Sequence, residues 1–266
     1  QKKVMPGVLI IEALARDWYI DDGDITISAT ENGQTVSQGN TTEADVAPVI
    51  KQRESSTSTD RVIKVIAEED ATANVTLDGV NIDTSKTTSV IGRDQAALRT
   101  EGDGDVNIEL DGDNYLKSSF ASHAAGLNKG NSGTLTINDE DNNGELEAVG
   151  GYYSAGIGGG YHSSASDITI TGGTITARGA SGGAGIGGGR NCAGSNIEIS
   201  GGNVTAKGGV GGAGIGGGAY GGTGSDISIS GDAKVKVQGG EADNYYYDTG
   251  TGAGIGNGGT QLEWLE

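Results

Sequence analysis

Ser166-Asp167-Ile168-Thr169-Ile170-Thr171-Gly172-Gly173-Thr174-Ile175-Thr176-Ala177, followed shortly by Gly182-Gly183-Ala184-Gly185-Ile186-Gly187-Gly188-Gly189, decides the fold. Two segments alternate aliphatic and polar residues with period two, and a glycine pair separates them. A third short apolar site follows, enclosed by glycine. Alternation of this kind marks half-buried strands, and the glycines mark tight turns between them.

The same pattern recurs outward in both directions. Ala-Gly-Ile-Gly-Gly-Gly begins at Ala155, Ala184 and Ala213, and a variant with asparagine at the fifth position begins at Ala253. Degenerate copies stand at Ala125-Gly126-Leu127 and Ala96-Ala97-Leu98. The alanines are 29, 30, 29, 29 and 40 residues apart. A second ladder of alternating segments starts at Val75, Ile108, Leu135, Ile168, Ile197 and Ile227, and a third strand follows at residues 174–177, 203–206 and 234–237.

Three short strands per repeat of constant length describe a solenoid. One coil cannot bury its own apolar face, but stacked coils pair their backbones and line up like residues. The spacing therefore predicts an all-β, right-handed parallel β-helix of about 29 residues and three strands per coil, the hand following the rule for parallel crossovers. Two interior ladders are expected: Leu98/Leu127/Ile157/Ile186/Ile215/Ile255 and Val75/Ile108/Leu135/Ile168/Ile197/Ile227. Ala155, Ala184 and Ala213 are expected where the walls come closest. Helix-period segments are lacking after residue 17, which argues against an ordinary α/β fold. A propeller blade would need a longer repeat and four antiparallel strands.

Composition sets the outer bounds. The chain has 51 glycines among 266 residues without a collagen period, and a net charge of −19. That acidity argues against a phosphate-backbone partner, so no nucleic acid is expected, and it disfavours an anionic membrane surface. No run of about 18 apolar residues offers a membrane span. Cys192 is the single cysteine and excludes an internal disulfide framework. The chain starts at Gln1 rather than Met, which leaves room for a leader upstream.

The chain divides into residues 1–17, 18–260 and 261–266. Residues 4–15 are the one helical candidate, read as an amphipathic cap over the first coil or as a fused foreign segment. The stretch from Met5 to Ala15 resembles the central-helix motif of 3-hydroxyacyl-ACP dehydratases, whose catalytic glutamate would correspond to Glu12. That family's partner histidine, in a His-Phe-Pro context, has no counterpart here, and a lone carboxylate performs no such acid–base chemistry. At the far end, the tail around Leu262-Glu263-Trp264-Leu265 is expected to fold back over the last coil, or the chain to continue beyond it.

Several residues are candidates for chemistry. Asp139, Asp141 and Asn143, ahead of Gly144, match the opening of a calcium loop, although the twelfth position is Gly150 rather than Glu. Calcium is thus a candidate cofactor, with a solvated turn as the plainer reading and Asp78 and Asp111 as extra charge. Glycine strings that recur in every coil are architecture, not phosphate loops. His162 and Cys192 fall near each other in phase, but two ligands make no zinc site. The outward line Thr76, Glu109, Thr136, Thr169, Glu198, Ser228 separates its glutamates by two threonines and does not form a threonine array for ice. Tyr152, Tyr153, Tyr161 and Tyr220 flank the Ala-Gly-Ile strand, and Tyr245, Tyr246 and Tyr247 sit in the longest repeat, within residues 239–250. Tyrosine joins a flat apolar body to a polar tip and suits stacking on sugar rings. Tyr153, Tyr161, Tyr220, Tyr245, Tyr246 and Tyr247 are therefore candidate ligand-binding residues. The alternative is that these rings only cover glycine-rich coils.

The repeated string resembles the glycine-rich repeat proteins of anaerobic Gram-positive bacteria, of pectin-lyase-like or carbohydrate-binding-domain type, over residues 18–260. That resemblance implies an extracellular or cell-surface address. The expected function is a non-catalytic stalk or adhesin module, with glycans or a host surface as partners. The alternative is a polysaccharide lyase or glycoside hydrolase using Asp78, Asp111 or Glu109, since such cleavage needs paired carboxylates.

Overall fold

The computed structural model describes residues 16–86, 95–243 and 249–260. In it the glycine-punctuated alternation folds as a right-handed parallel β-solenoid of about seven turns. Three sheets run along the rod. An eight-stranded sheet contains Thr72–Asp78, Asp105–Asp111, Leu135–Asn138, Ala165–Ile170, Gly194–Ile199 and Gly224–Ile229. A six-stranded sheet contains Asp113–Lys117, Glu145–Val149, Thr174–Arg178, Asn203–Lys207 and Lys234–Gln238. A ten-stranded sheet holds the two-residue strands Ile157–Gly158, Ile186–Gly187, Ile215–Gly216 and Ile255–Gly256. Each regular coil visits the ten-, eight- and six-stranded sheets in turn, and no α-helix occurs among the described residues.

The Leu98/Leu127/Ile157/Ile186/Ile215/Ile255 ladder forms as the spacing predicts, each member paired with the next. All but the terminal Ile255 are fully buried, as are Ala155, Ala184 and Ala213. The third wall is no flat sheet, however. In each Ala-Gly-Ile copy the alanine N–H donates to the carbonyl four residues on, Ala184 to Gly188 at 3.0 Å and Ala213 to Gly217 at 2.9 Å. This bond bends the string into a narrow rib. Gly187 lies at φ +132°, and a Cβ there would meet the carbonyl oxygen of Gly216 in the next coil at 2.1 Å. Only glycine permits both the backbone angle and that approach.

The second ladder corrects the sequence reading. Ile108 pairs with Ile137, and Leu135 pairs with Val106 and Ile168. Two interior columns therefore run side by side, Ala73/Val106/Leu135/Ile168/Ile197/Ile227 and Val75/Ile108/Ile137/Ile170/Ile199/Ile229. A two-residue slip keeps every aliphatic residue on the inner face, so alternation alone cannot distinguish the two registers. The outward line changes with it. Glu109 neighbours Thr76 and Asn138, while Thr136 follows Asn74 and Asn107.

At the other end, Ile25–Thr30, Gly33–Gln38 and Thr41–Ala44 form an antiparallel extension of the ten-stranded sheet. Val36 is fully buried, the Gln34 side chain exchanges bonds with the Asn74 backbone, and Trp18 Nε1 donates to Asp45 Oδ2 at 2.9 Å. Asp17 belongs to the strand Asp17–Tyr19 rather than to a helix, and the helical candidate at residues 4–15 lies outside the described residues. The long repeat is closed at its base by paired bonds between Asp243 and Thr249, both 3.0 Å. Tyr245, Tyr246, Tyr247 and the 261–266 tail lie outside the described residues.

Candidate functional site

Outward residues of the eight-stranded sheet build a groove of about 460 Å³, floored by Asn74, Thr76, Asn107, Glu109, Asn138 and Thr171 and edged by Ala47 and Glu140. The side chains come from successive coils along two adjacent outward lines, Asn74/Asn107/Thr136 and Thr76/Glu109/Asn138, with neighbours in each line at strand spacing, about 4.8 Å. They are bonded to one another. Asn107 Nδ2 donates to Asn74 Oδ1 at 3.0 Å, and Thr171 Oγ1 donates to Asn138 Oδ1 at 2.8 Å. Glu109 accepts from Asn138 Nδ2 at 2.9 Å and from the Glu140 backbone N–H at 2.6 Å. Burial pushes the Glu109 carboxyl above its ordinary range against the pull of those two bonds, and the charges of Glu140 and Asp111 add to the rise. Asn138 was missed as the neighbour of Glu109 because the slipped register placed Glu109 beside Thr136, whereas Asn74 and Asn107 lie on the outward line next to the one followed in the sequence.

Asp78 and Asp111 are register partners at the end of that sheet. Burial raises the Asp111 pKa, followed by repulsion from Asp141, Asp78 and Asp139, while Lys51 opposes the rise. Lys51 Nζ lies 3.0 Å from Asp17 and 3.5 Å from Asp78. The candidate calcium residues form a hydrogen-bonded turn. Asp139 is 7% exposed, and its two oxygens accept from the backbone of Asn143 and Gly144 at 3.1 and 3.0 Å. Asn143 Nδ2 donates to Asp141 at 2.7 Å. Among the described residues no group of three or more His, Cys, Asp or Glu side chains is gathered to hold an ion. Cys192 has its thiol pushed up by burial, with a Ser164 hydrogen bond opposing, which is the reverse of an activated nucleophile.

The tyrosines do come together, across coils, beside the narrow rib. Phe120 and Tyr152 have ring centroids 4.2 Å apart, Tyr152 and Tyr153 are 3.6 Å apart, and Tyr161 lies 5.0 Å from Tyr153. The Arg190 guanidinium then sits 4.2 Å from the Tyr153 ring and 4.0 Å from the Tyr220 ring. Phe120, Tyr152, Tyr153, Arg190 and Tyr220 thus make one continuous stack, with Tyr161 and His162 beside it at 3.8 Å from each other. Ring faces inside such a stack are taken by neighbouring rings. Tyr153, between Tyr152 and Arg190, offers a sugar only its edges, whereas Phe120, 65% exposed, keeps an open side.

Tyr153 and Tyr220 also adopt left-handed backbone angles, φ 63° and 64°, which bulky residues avoid. Between them the two rings sandwich Arg190, whose buried Nε has no hydrogen-bond partner among the described residues. The sequence held a signal for this: Arg190 occupies the phase that Tyr161 holds one coil earlier, six residues after the alanine. Arg190→Ala is expected to cost about 1–2 kcal/mol and to change the tyrosine near-UV circular dichroism. Unaltered melting and dichroism would show that the stack is incidental.

Compared with curated proteins and with solved structures, the chain has no match. A family model described as a beta helix repeat matches residues 142–161, 168–190 and 197–219, which fall on successive coils of the rod. Repeat and coil coincide, and over these three segments the β-solenoid carries the beta helix repeat.

Proposed function

We propose that this β-helix is a non-catalytic module, secreted or displayed at a cell surface, whose rigid rod holds glycans along the outward face of the eight-stranded sheet. The groove over Asn74, Asn107 and Asn138 carries the reading. Amides and hydroxyls repeated at strand spacing offer donors and acceptors in two parallel rows, which suits a hydroxyl-rich chain lying along the rod. Stacked coils hold those contacts in fixed geometry, so several weak ones add without reordering. The surface address is supported by the resemblance of the repeated string to glycine-rich surface proteins.

One observation favours polysaccharide cleavage instead. Glu109 and Glu140 line the same groove, and Glu109 is raised in the direction a general acid needs. Against it, both Glu109 oxygens already accept hydrogen bonds. A glycan array followed by product analysis of every hit separates the readings. Binding without products, weakened at least tenfold by Asn107→Ala, is the expected result. Products that vanish in Glu109→Gln would replace the module with an enzyme.

A further inference from the structure

The chain has 36 acidic and 17 basic residues, yet its charge is not spread evenly. On the six-stranded sheet, the outward positions of Thr174–Arg178, Asn203–Lys207 and Lys234–Gln238 hold four cations and no carboxylate. The cations are Arg178, Lys207, Lys234 and Lys236, and the remaining outward positions are Thr, Asn or Gln. Earlier on the same face stand Asp113, Glu145 and Glu147. The face therefore changes sign along the rod. Arg178 is held by Glu147 at 3.0 Å, but Lys207, Lys234 and Lys236 are exposed and enter no ion pair among the described residues.

Relief accompanies the charge. One hollow of about 520 Å³ lies between Lys234 and Lys236 and the neighbouring Asn203 and Thr205. Another, of about 470 Å³, follows the corner past Arg178, Lys207 and Gln238, with Glu241 on its rim. Strands are about 4.8 Å apart and alternate residues about 6.6 Å apart, so Lys236 stands within roughly one Debye length, ~8 Å at physiological salt, of both Lys234 and Lys207, while the outer two are about 14 Å apart. At that range the cluster acts locally while the acidic coils beyond are screened.

We propose that this end of the six-stranded sheet binds an acidic polysaccharide, with Lys207, Lys234 and Lys236 meeting its carboxylates and Asn203 and Thr205 its hydroxyls. The site lies on a different face from the asparagine groove and stands without it. A nucleic acid duplex fits worse, because it carries a charge every ~1.7 Å and its breadth would overlap the acidic coils. A flat anionic membrane would meet the same repulsion. A polyuronate chain is narrow, sparsely charged and rich in hydroxyls.

Polygalacturonate is the probe, with neutral dextran as control and the full chain as the protein. Binding should be measurable at low salt, fall at least tenfold towards ~0.5 M salt, and be absent for dextran. Lys207→Gln/Lys234→Gln/Lys236→Gln should lose at least tenfold in affinity while melting like the wild type. If the triple variant melts early, the single Lys236→Gln variant must still show a reduced affinity and a shallower salt dependence. The proposal fails if polygalacturonate does not bind at low salt or if the lysine variants bind it unchanged. It fails equally if duplex DNA or anionic vesicles bind as tightly through the same lysines.

Discussion

Gly187→Ala is expected to destabilise the protein by about 3–5 kcal/mol, combining left-handed backbone strain with overpacking. The added methyl would stand 2.1 Å from the Gly216 carbonyl oxygen and 3.0 Å from its carbon, and both atoms are backbone. No side chain can swing aside, so relief requires the coils to separate. Gly158 and Gly216 repeat the geometry, each with a carbonyl of the next coil at 2.1 Å, which makes the column one continuous constraint. Gly221→Ala is the control. Its φ of +84° is equally left-handed, but nothing lies within 4 Å of the new methyl, so about 1 kcal/mol is expected. Urea denaturation of both variants decides the matter. Equal losses would mean that coil spacing is not limited by this glycine column.

The second large effect is expected at Ile186→Ala. Ile186 is fully buried between Ile157 and Ile215, and removing its outer carbons leaves a cavity that neighbours one coil away on either side cannot fill. A loss of about 2–5 kcal/mol follows. Ile255→Ala, in the same ladder but 43% exposed, should cost about 1 kcal/mol or less. Since each coil touches chiefly its neighbours, the damage should stay local, with amide exchange fastest around residues 155–189 and little changed near residue 75. Uniformly faster exchange along the rod would contradict a solenoid built of nearest-neighbour contacts.

Much of the candidate site lay beyond sequence reading. The tyrosine positions were visible, but not that Tyr153 and Tyr220 close on Arg190 from two sides. The asparagine groove depended on pairing Ile108 with Ile137, a choice that period-two alternation leaves open. The calcium motif could be read as letters, but not that both Asp139 oxygens accept from the backbone of their own turn. Lys129 gave no signal at all. It is 6% exposed, donates to the Asn131 and Gly133 carbonyls at 2.6 and 2.7 Å, and burial pushes its ammonium pKa down. The extension at residues 25–44 was unreadable by period because it occurs once.

From the sequence alone followed the coil length, the three strands per coil and the ladder through Ile157, Ile186 and Ile215. A repeat pairs with itself, so one copy in phase with the next suffices to place every in-phase residue in one column. Tertiary structure alone decided the register across the shorter step into Leu135–Asn138, the bend of the glycine rib and the partners of the exposed rings. Those depend on where one coil settles on another, which is governed by backbone contacts and turn lengths that no single strand records.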